Sequence, residues 1–285
     1  MKITRILVAL SFLFAVSNVN AGELSVTGNM ETTFQSQNGT TNGNPLGMDK
    51  ELKFSASTEL DNGISVSVMQ DTSDSLTFGN SQIAFGNIMG LATIYVGTDS
   101  DPLDAIDDIT PNAYEESWDI VTGAGTNMVN GLSGNNMFTY KSESIGGATF
   151  TVAYLNASDA ITDVSYMDMA VEVKPEMVDG LTLGYGMGET EETTGTVIDD
   201  QTMYVKYVYG SFTVGYQQSE SDGSASSSDL TNTMMGVSYA VTDNLTIAYN
   251  QSTQDIGSDS DDQEATGISA SYTQGGITIG GAMNE

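Results

Sequence analysis

Residues 212–216 read Phe-Thr-Val-Gly-Tyr, and this short pattern decides the fold. Variants of it stand at 150–154 (Phe-Thr-Val-Ala-Tyr), 181–185 (Leu-Thr-Leu-Gly-Tyr), 245–249 (Leu-Thr-Ile-Ala-Tyr) and 277–281 (Ile-Thr-Ile-Gly-Gly). The first and third residues are large and apolar, and the fifth is Tyr in every copy but the last, whereas the second is Thr and the fourth is Gly or Ala. Because successive side chains of a β-strand point to opposite faces, each copy predicts a strand with one apolar face and one small, polar face.

The connections between the predicted strands alternate between short turns rich in Gly and Asn and longer polar segments. The short ones are 61–63, 87–90, 144–147, 210–211, 242–244 and 274–276, and the long ones are 37–49, 71–80, 98–134, 156–163, 188–200, 219–231 and 252–262. A soluble β-sandwich does not sort its loops by length in chain order. A transmembrane barrel has short periplasmic turns and long extracellular loops. The sequence therefore predicts an all-β protein, a transmembrane antiparallel β-barrel.

Counting the alternating segments gives about fifteen strands, from 24–35 to 277–283, with 81–86 and 163–174 as the weakest assignments. Single-chain bacterial barrels have an even number of strands. We therefore expect about sixteen strands in the full protein, with the last one missing after Glu285.

The N-terminal segment has a basic start at Lys2 and Arg5, an apolar run over 6–16 and small residues before Gly22. These features are typical of a secretory signal peptide. The apolar run is shorter than the ~20 residues that a membrane-spanning helix needs. We predict a signal peptide over 1–21, cleaved after Ala21, and one barrel domain over 22–285.

The composition excludes several functions. The 285 residues include 38 Asp and Glu, 7 Lys and Arg, and no Cys or His. Without the predicted signal peptide, five Lys and no Arg face 38 acidic residues, a net charge near −33. Catalytic triads and metal sites that need His or Cys are excluded, and nucleic acid is not expected as a partner because phosphate contacts need basic residues. We expect no enzymatic activity.

The third long connection, 98–134, is the longest. Its acidic residues are Asp99, Asp101, Asp104, Asp107, Asp108, Glu115, Glu116 and Asp119. It also holds Trp118, the only Trp, together with Ile106, Ile109 and Ile120. A free surface loop does not need this apolar complement. We predict that the loop folds into the barrel, packs Trp118 against the inner wall and presents its carboxylates to the lumen. The alternative is a solvated acidic loop.

The two faces of the strands predict a water-lined wall and a lipid-facing surface. The charged members of the polar face, which we expect to line the pore, are Glu31, Glu51, Lys53, Lys141, Glu172 and Lys206. Of these, we expect Lys53, Lys141 and Lys206 to face the acidic loop, and the excess of acids predicts a preference for cations. The apolar face carries the tyrosines expected to form an interfacial girdle, namely Tyr140, Tyr154, Tyr185, Tyr207, Tyr209, Tyr216, Tyr239, Tyr249 and Tyr272.

The stretch from Ser-Gln-Ile-Ala-Phe-Gly at 81–86, through Leu-Ala-Thr-Ile-Tyr-Val-Gly at 91–97, to Thr-Asp-Ser-Asp-Pro-Leu-Asp at 98–104 resembles the strand pair that precedes the third loop of trimeric general diffusion porins. The resemblance extends over 22–285. It implies an outer-membrane homotrimer of water-filled channels, embedded in outer-membrane lipid, for passive diffusion of ions and small hydrophilic solutes, with no cofactor. The chain departs from the family in lacking the Arg cluster that commonly lines one wall of the constriction.

Two acidic clusters suit loosely bound Ca²⁺ or Mg²⁺, or else form a solvated surface: Glu189, Glu191 and Glu192, and Asp255, Asp259, Asp261 and Asp262. Two other functions remain open at this stage. One is a structural or adhesive outer-membrane barrel with a closed lumen, and the other is a secreted Ca²⁺-binding β-protein.

Overall fold

The computed structural model describes residues 24–35, 46–73, 75–98, 100–120, 129, 131–132, 136–156, 164–192, 195–223, 229–257 and 262–285. The predicted signal peptide lies outside these residues. Within them, no helix has the length and the apolar character that crossing a membrane requires.

In the described part of the chain, fifteen strands form one antiparallel sheet in which each strand pairs with its neighbours in chain order. The strands are β1 Ser25–Phe34, β2 Leu46–Glu59, β3 Ser65–Thr72, β4 Phe78–Ile88, β5 Ala92–Gly97, β6 Met137–Ser142, β7 Ala148–Leu155, β8 Val164–Val173, β9 Leu181–Glu192, β10 Val197–Tyr209, β11 Phe212–Asp222, β12 Leu230–Ala240, β13 Leu245–Ile256, β14 Gln263–Gln274 and β15 Ile277–Asn284. The predicted all-β fold is confirmed, and the two weakest strand assignments correspond to β4 and β8.

The sheet curves so that its first and last strands approach the same loop residue. The Tyr114 hydroxyl donates a hydrogen bond of 2.7 Å to Glu31 Oε1 on β1, and a Cβ added to Gly280 on β15 would meet the Tyr114 ring. A cavity of about 470 Å³ between β1 and β15 is lined by both strands and by Tyr114. The sheet therefore wraps around an interior that the loop crosses.

The sorting of the connections is visible, but less pronounced than expected. Residues 188–192 and 197–200, predicted as loop, continue β9 and β10, and the connection between β3 and β4 shrinks to 73–77. Polar residues can continue a strand beyond the apolar band because the ladder hydrogen bonds do not depend on side-chain polarity. Turns at the other end are tight, as at Gly275 and Gly276, whose φ angles of 61° and 79° favour glycine.

Cross-strand register separates the two faces of the sheet. Val237 on β12 lies opposite Tyr249 on β13, which lies opposite Ile268 on β14. Two residues along the same face of β12 and β13, Tyr239 lies opposite Ile247 and forms a second apolar pair. These side chains are exposed except for the half-buried Val237, and the tyrosines of the predicted girdle are exposed except for the half-buried Tyr207. Large exposed apolar residues on one face and polar ones on the other match a barrel wall with lipid outside.

Candidate functional site

Residues 98–134, here called the lumen loop, connect β5 to β6 and contain a short 3₁₀ turn, Asp104–Ile106, and one helical turn, α1 Ser117–Ile120. The described part of the loop follows the inner wall from β8 to β15 and then turns back toward β13 and β14. Its contacts come in chain order: Leu103 with β8 and β9, Ile109 with β11, Pro111 with β11 and β12, Ala113 with β14, and Tyr114 with β15 and β1.

Inward-facing glycines of the wall strands leave the space in which the lumen loop packs. A Cβ at Gly215 would lie 2.5 Å from Pro111 Cδ, and one at Gly236 would lie 2.6 Å from the Pro111 carbonyl oxygen. On β9, a Cβ at Gly186 would lie 2.8 Å from both Ile106 and Leu103. Real Cβ atoms essentially never come this close to a neighbour. The loop can lie here because these strands present bare backbone.

Wall amides hold the loop by its main chain. Gln217 on β11 accepts a 3.0 Å hydrogen bond from the Ile109 N–H, while its Nε2 donates to the carbonyls of Ile106 at 3.1 Å and Asp107 at 2.5 Å. Asn250 on β13 accepts from the Ser117 N–H at 2.9 Å. Gln217 is fully buried, so the loop carbonyls and N–H that it contacts have exchanged water for protein partners.

Two carboxylates anchor the start of the loop. The Leu103 N–H donates at 2.9 Å both to Asp101 Oδ1 and to Asp168 Oδ2 on β8. Asp101 Oδ2 accepts from the Leu132 N–H at 2.9 Å, and Tyr166 donates to Asp101 Oδ1 at 3.3 Å. Asp101 thereby joins the outgoing and the returning arm of the loop to the wall.

Trp118 lies against the inner wall, in a cluster of buried apolar residues with Met234 of β12 and Ala265 of β14. It is 2% exposed. This cluster of apolar side chains therefore lies between the lumen loop and the wall, where the large indole of Trp118 packs with the small side chain of Ala265.

The loop acids fall into two groups. Asp101 and Glu116 are 2% and 7% exposed, so the expectation that every loop carboxylate faces the lumen is wrong for these two. Asp101 is occupied by backbone N–H groups, and Glu116 lies beside the buried Ser117 in the tightly seated part of the loop. The loop acids that are not buried, here called the open acids, are the half-buried Asp104, Asp107 and Glu115 and the exposed Asp108. Asp99 and the side chain of Asp119 lie outside the described residues.

Crowding perturbs two groups of the loop. Burial, followed by the charges of Asp104 and Asp108, raises the pKa of Asp107 from 3.8 to about 7. The hydrogen bond to Glu31, followed by burial, raises the pKa of Tyr114 from 10.0 to about 12. Asp107 therefore changes its charge close to neutral pH.

A cavity of about 470 Å³, here called the wall cavity, lies between the loop and strands β4 to β8. The loop contributes Asp101 and Asp104 to its lining, and the wall contributes Lys141 and Glu172, which the sequence places among the pore residues. Lys174 lines it as well, with its Nζ 2.7 Å from Glu172 Oε1. This cavity brings predicted loop acids and predicted wall residues together.

The other predicted wall residues lie elsewhere. Lys206 on β10 interacts with the charge of Glu172 but does not line the cavity. Lys53 on β2 is paired in register with Asp71, and Glu51 with Asn29. Glu31 holds Tyr114 near the edge of the sheet. Of the three lysines expected to face the loop, Lys141 lines the wall cavity together with loop residues, whereas Lys53 and Lys206 do not line it.

No group of three or more acidic, His or Cys residues in the described ranges is placed to hold a metal ion. Several acids of the predicted Ca²⁺ or Mg²⁺ clusters, including Asp259, Asp261 and the side chain of Glu192, lie outside those ranges. Loose divalent binding at the loops stays a prediction.

A family model of Gram-negative porins matches residues 7–283. The chain belongs to this family. The predicted family resemblance, the barrel fold and the location in the bacterial outer membrane are confirmed, and the chain is an outer-membrane porin channel. No curated protein matches this porin in the sequence comparison.

Solved structures share the fold at low identity. An anion-selective porin from Comamonas acidovorans aligns with a TM-score of 0.70 and 16% identity, covering 92% of this chain and 88% of its own. A multiply substituted Rh. blastica porin aligns with a TM-score of 0.65 and 16% identity, covering 92% and 94%. OmpT of Vibrio cholerae aligns with a TM-score of 0.64 and 11% identity, covering 93% and 84%.

The sequence did not point to the residues that hold the loop, among them Gln217, Asn250, Ser269 and Asp168. Polar inward residues are expected anywhere on a water-lined wall, so nothing distinguishes these positions. The sequence does contain one indication of where the loop packs. The fourth residue of each repeat is small and faces inward, and in the copies at 212–216 and 277–281 it is a glycine, Gly215 and Gly280, against which loop residues lie.

Proposed function

We propose that this porin is a water-filled channel for passive diffusion of ions and small hydrophilic solutes, and that it prefers cations. The observation that carries this proposal is the loop that follows the inner wall with Asp104, Asp107, Asp108 and Glu115 not buried. The described loop contains no basic residue. Fixed carboxylates in a narrow wet passage attract cations and repel anions.

The size of the preference depends on pH because the four open acids differ. Asp107, with its pKa raised to about 7 by burial and by its acidic neighbours, is partly neutral at physiological pH. The exposed Asp108 is the open acid least screened from the passage by protein. Wall lysines oppose these charges, but Lys174 is paired with Glu172, which removes much of its field.

The fold does not determine the sign of the preferred ion, since function depends on the residues that line a site. A neighbour of the same fold is described as an anion-selective porin. The preference proposed here rests on the acidic loop and on the scarcity of Lys and the absence of Arg after residue 5.

Reversal potentials in planar bilayers under a salt gradient test the proposal. We expect a cation-selective potential that falls when Asp104 and Asp108 are both changed to Asn. Asp61→Asn, in the exposed turn between β2 and β3, is the matched control and is expected to leave the potential unchanged. An anion-selective wild-type potential would contradict the preference, and absence of conductance would favour a structural or adhesive barrel with a closed lumen.

A homotrimer is also proposed, on the family resemblance. Chemical cross-linking of the protein in outer-membrane vesicles should give a species of three chains. A monomer at every cross-linker concentration would contradict it.

A further inference from the structure

The outward apolar residues of strands β11 to β14 form only three rows. On β11 they are Phe212, Val214 and Tyr216, and Gln218 follows at the next outward position. The first polar outward residues of the other three strands are Thr233 after Tyr239, Val237 and Met235, Gln251 after Leu245, Ile247 and Tyr249, and Thr266 after Tyr272, Ala270 and Ile268. All four strands therefore stop being apolar at the same outward position.

Three rows cover about 15 Å of the membrane normal, because each row takes two residues of a strand that rises ~3.3 Å per residue and is tilted by ~40°. The apolar band of a transmembrane barrel is typically ~25 Å tall. The band cannot continue downward, since β11 directly follows the turn at 210–211 and β14 ends at the turn at 275–276. This sector is therefore about 10 Å shorter than a typical apolar band.

A hydrogen-bonded polar network lies immediately above the short band. The Tyr216 hydroxyl donates to Gln218 Oε1 at 3.3 Å, and the Gln218 amide donates to Glu220 Oε1 at 2.8 Å. Gln201 on β10 lies opposite Glu220 and donates to its other oxygen at 2.5 Å. In a band ~25 Å tall that starts at Phe212, Gln218 and Glu220 would both lie in hydrocarbon, where a carboxylate is costly. The favourable level for lipid headgroups is therefore at Gln218.

An apolar groove in the same outer face ends at the same level. Ala270 on β14 lies opposite Gly281 on β15, and this small pair leaves a groove of about 710 Å³. Its lining reaches up to Ile268, whereas Thr266, the next outward residue of β14, does not line it. An acyl chain in this groove is therefore in apolar contact up to the third row.

The first two strands show that the short band is local. Val26 lies opposite Phe54 near one end of β1 and β2, and Phe34 lies opposite Leu46 near the other. The two pairs are about 20 Å apart along the membrane normal, before the height of the rows themselves is added. The polar outward residues between the pairs are Thr32 and Lys50.

We infer that strands β11 to β14 contact a locally thinned bilayer of phospholipids with short acyl chains, whose headgroups lie at the level of Gln218 and Gln251. This face is continuous with the rest of the lipid-facing surface of the barrel, so its neighbour is lipid. Thinning keeps Gln218 and Glu220 out of hydrocarbon, and the bilayer deformation that it requires decreases as the acyl chains become shorter. The inference does not depend on the proposed ion preference.

The test measures urea unfolding in phosphatidylcholine vesicles with monounsaturated chains of fourteen, sixteen, eighteen or twenty carbons. Thr233→Val combined with Thr266→Val raises the apolar band by one row on β12 and β14, which is about 5 Å. Thr231→Val combined with Thr253→Val makes the same chemical change one row higher, beyond the polar Thr233 and Gln251, and is the matched control.

We expect the unfolding midpoint of the wild type to be highest in the vesicles with the shortest chains and to fall with each lengthening. The protein with the raised band should lose less of its midpoint over the series, because less polar surface enters hydrocarbon, and the control should follow the wild type. A midpoint independent of chain length, or an equal loss in the raised and control proteins, would overturn the inference and leave the channel intact.

Lipid quenching measures the depth of position 218 directly. Trp118 is buried beneath the lumen loop, so the fluorescence that Gln218→Trp adds to the wild type comes from the outer face. Bromine near the lipid headgroup should quench this fluorescence more than bromine near the chain end. Stronger quenching by the chain end would place position 218 deep in hydrocarbon, and quenching by neither would show that protein covers the sector; either result would overturn the inference.

Discussion

Replacing Gly236 by Ala should push the lumen loop away from β12. The new Cβ would lie 2.6 Å from the Pro111 carbonyl oxygen and 2.6 Å from Thr110 Cγ2, against ordinary contact distances of 3.4 Å and more. Relief requires a displacement of about 0.8 Å, and the carbonyl oxygen cannot rotate away as a flexible side chain would. The loop must therefore move into the lumen or the strand must bend outward.

The energetic cost follows from overpacking, which is typically ~1–3 kcal/mol. Replacing Gly by Ala in a strand recovers ~0.5–1 kcal/mol of backbone entropy, so we expect a net loss of about 1–2 kcal/mol in the free energy of unfolding. The lumen loop is held by few strands' side chains whereas β12 is fixed by ladder hydrogen bonds to both neighbours, so we expect the loop to move; it then narrows the passage, and single-channel conductance should fall as well.

The assay combines urea unfolding in lipid vesicles with single-channel recording. Gly281→Ala is the control, because a Cβ there meets nothing within 4 Å and faces outward. Should Gly236→Ala match Gly281→Ala in both stability and conductance, the loop does not rest on β12 as described and the reasoning fails.

Three further outcomes are expected. Gln217→Leu removes the wall partner of the Ile109 N–H and of two loop carbonyls. Each buried group left unpaired should lower the free energy of unfolding by about 1–3 kcal/mol, and the loosened loop should become sensitive to protease. A protease-resistant variant of wild-type stability would contradict this. The pKa of Asp107 is raised in the folded chain, so its contribution to stability is full below pH 3.8 and is lost as the pH rises through about 7; from pH 6 to 8 the wild type should become less stable and more cation-selective, and both changes should be smaller in Asp107→Asn. Trp118 is the only Trp and is 2% exposed, so its fluorescence should resist acrylamide quenching, and Met234→Ala should increase quenching; strong quenching in the wild type would place the loop away from the wall.

The strand pattern could be predicted because the environment of a barrel strand repeats every two residues. Phe212, Val214 and Tyr216 face outward and Thr213 and Gly215 face inward, as the alternation indicates. The inward course of residues 98–134 could be predicted because the loop carries apolar residues that need cover.

Which loop groups meet which wall groups could not be predicted. The bond between Ile109 and Gln217 joins residues 108 positions apart, and no local pattern records such a pairing. The burial of Asp101 likewise depends on Leu132 and Tyr166, which come from different segments. Composition shows that the loop is acidic, but only the three-dimensional contacts separate anchoring carboxylates from open ones.

The manner in which the wall holds the loop has a consequence for how this porin can change. Gln217, Asn250, Ser269 and Asn284 bind main-chain N–H and carbonyl groups, which every residue except proline supplies in full. These hydrogen bonds therefore do not depend on which side chains of the loop face the passage. Residues such as Asp108 can be exchanged, by evolution or by design, to alter which solutes pass while the loop keeps its position.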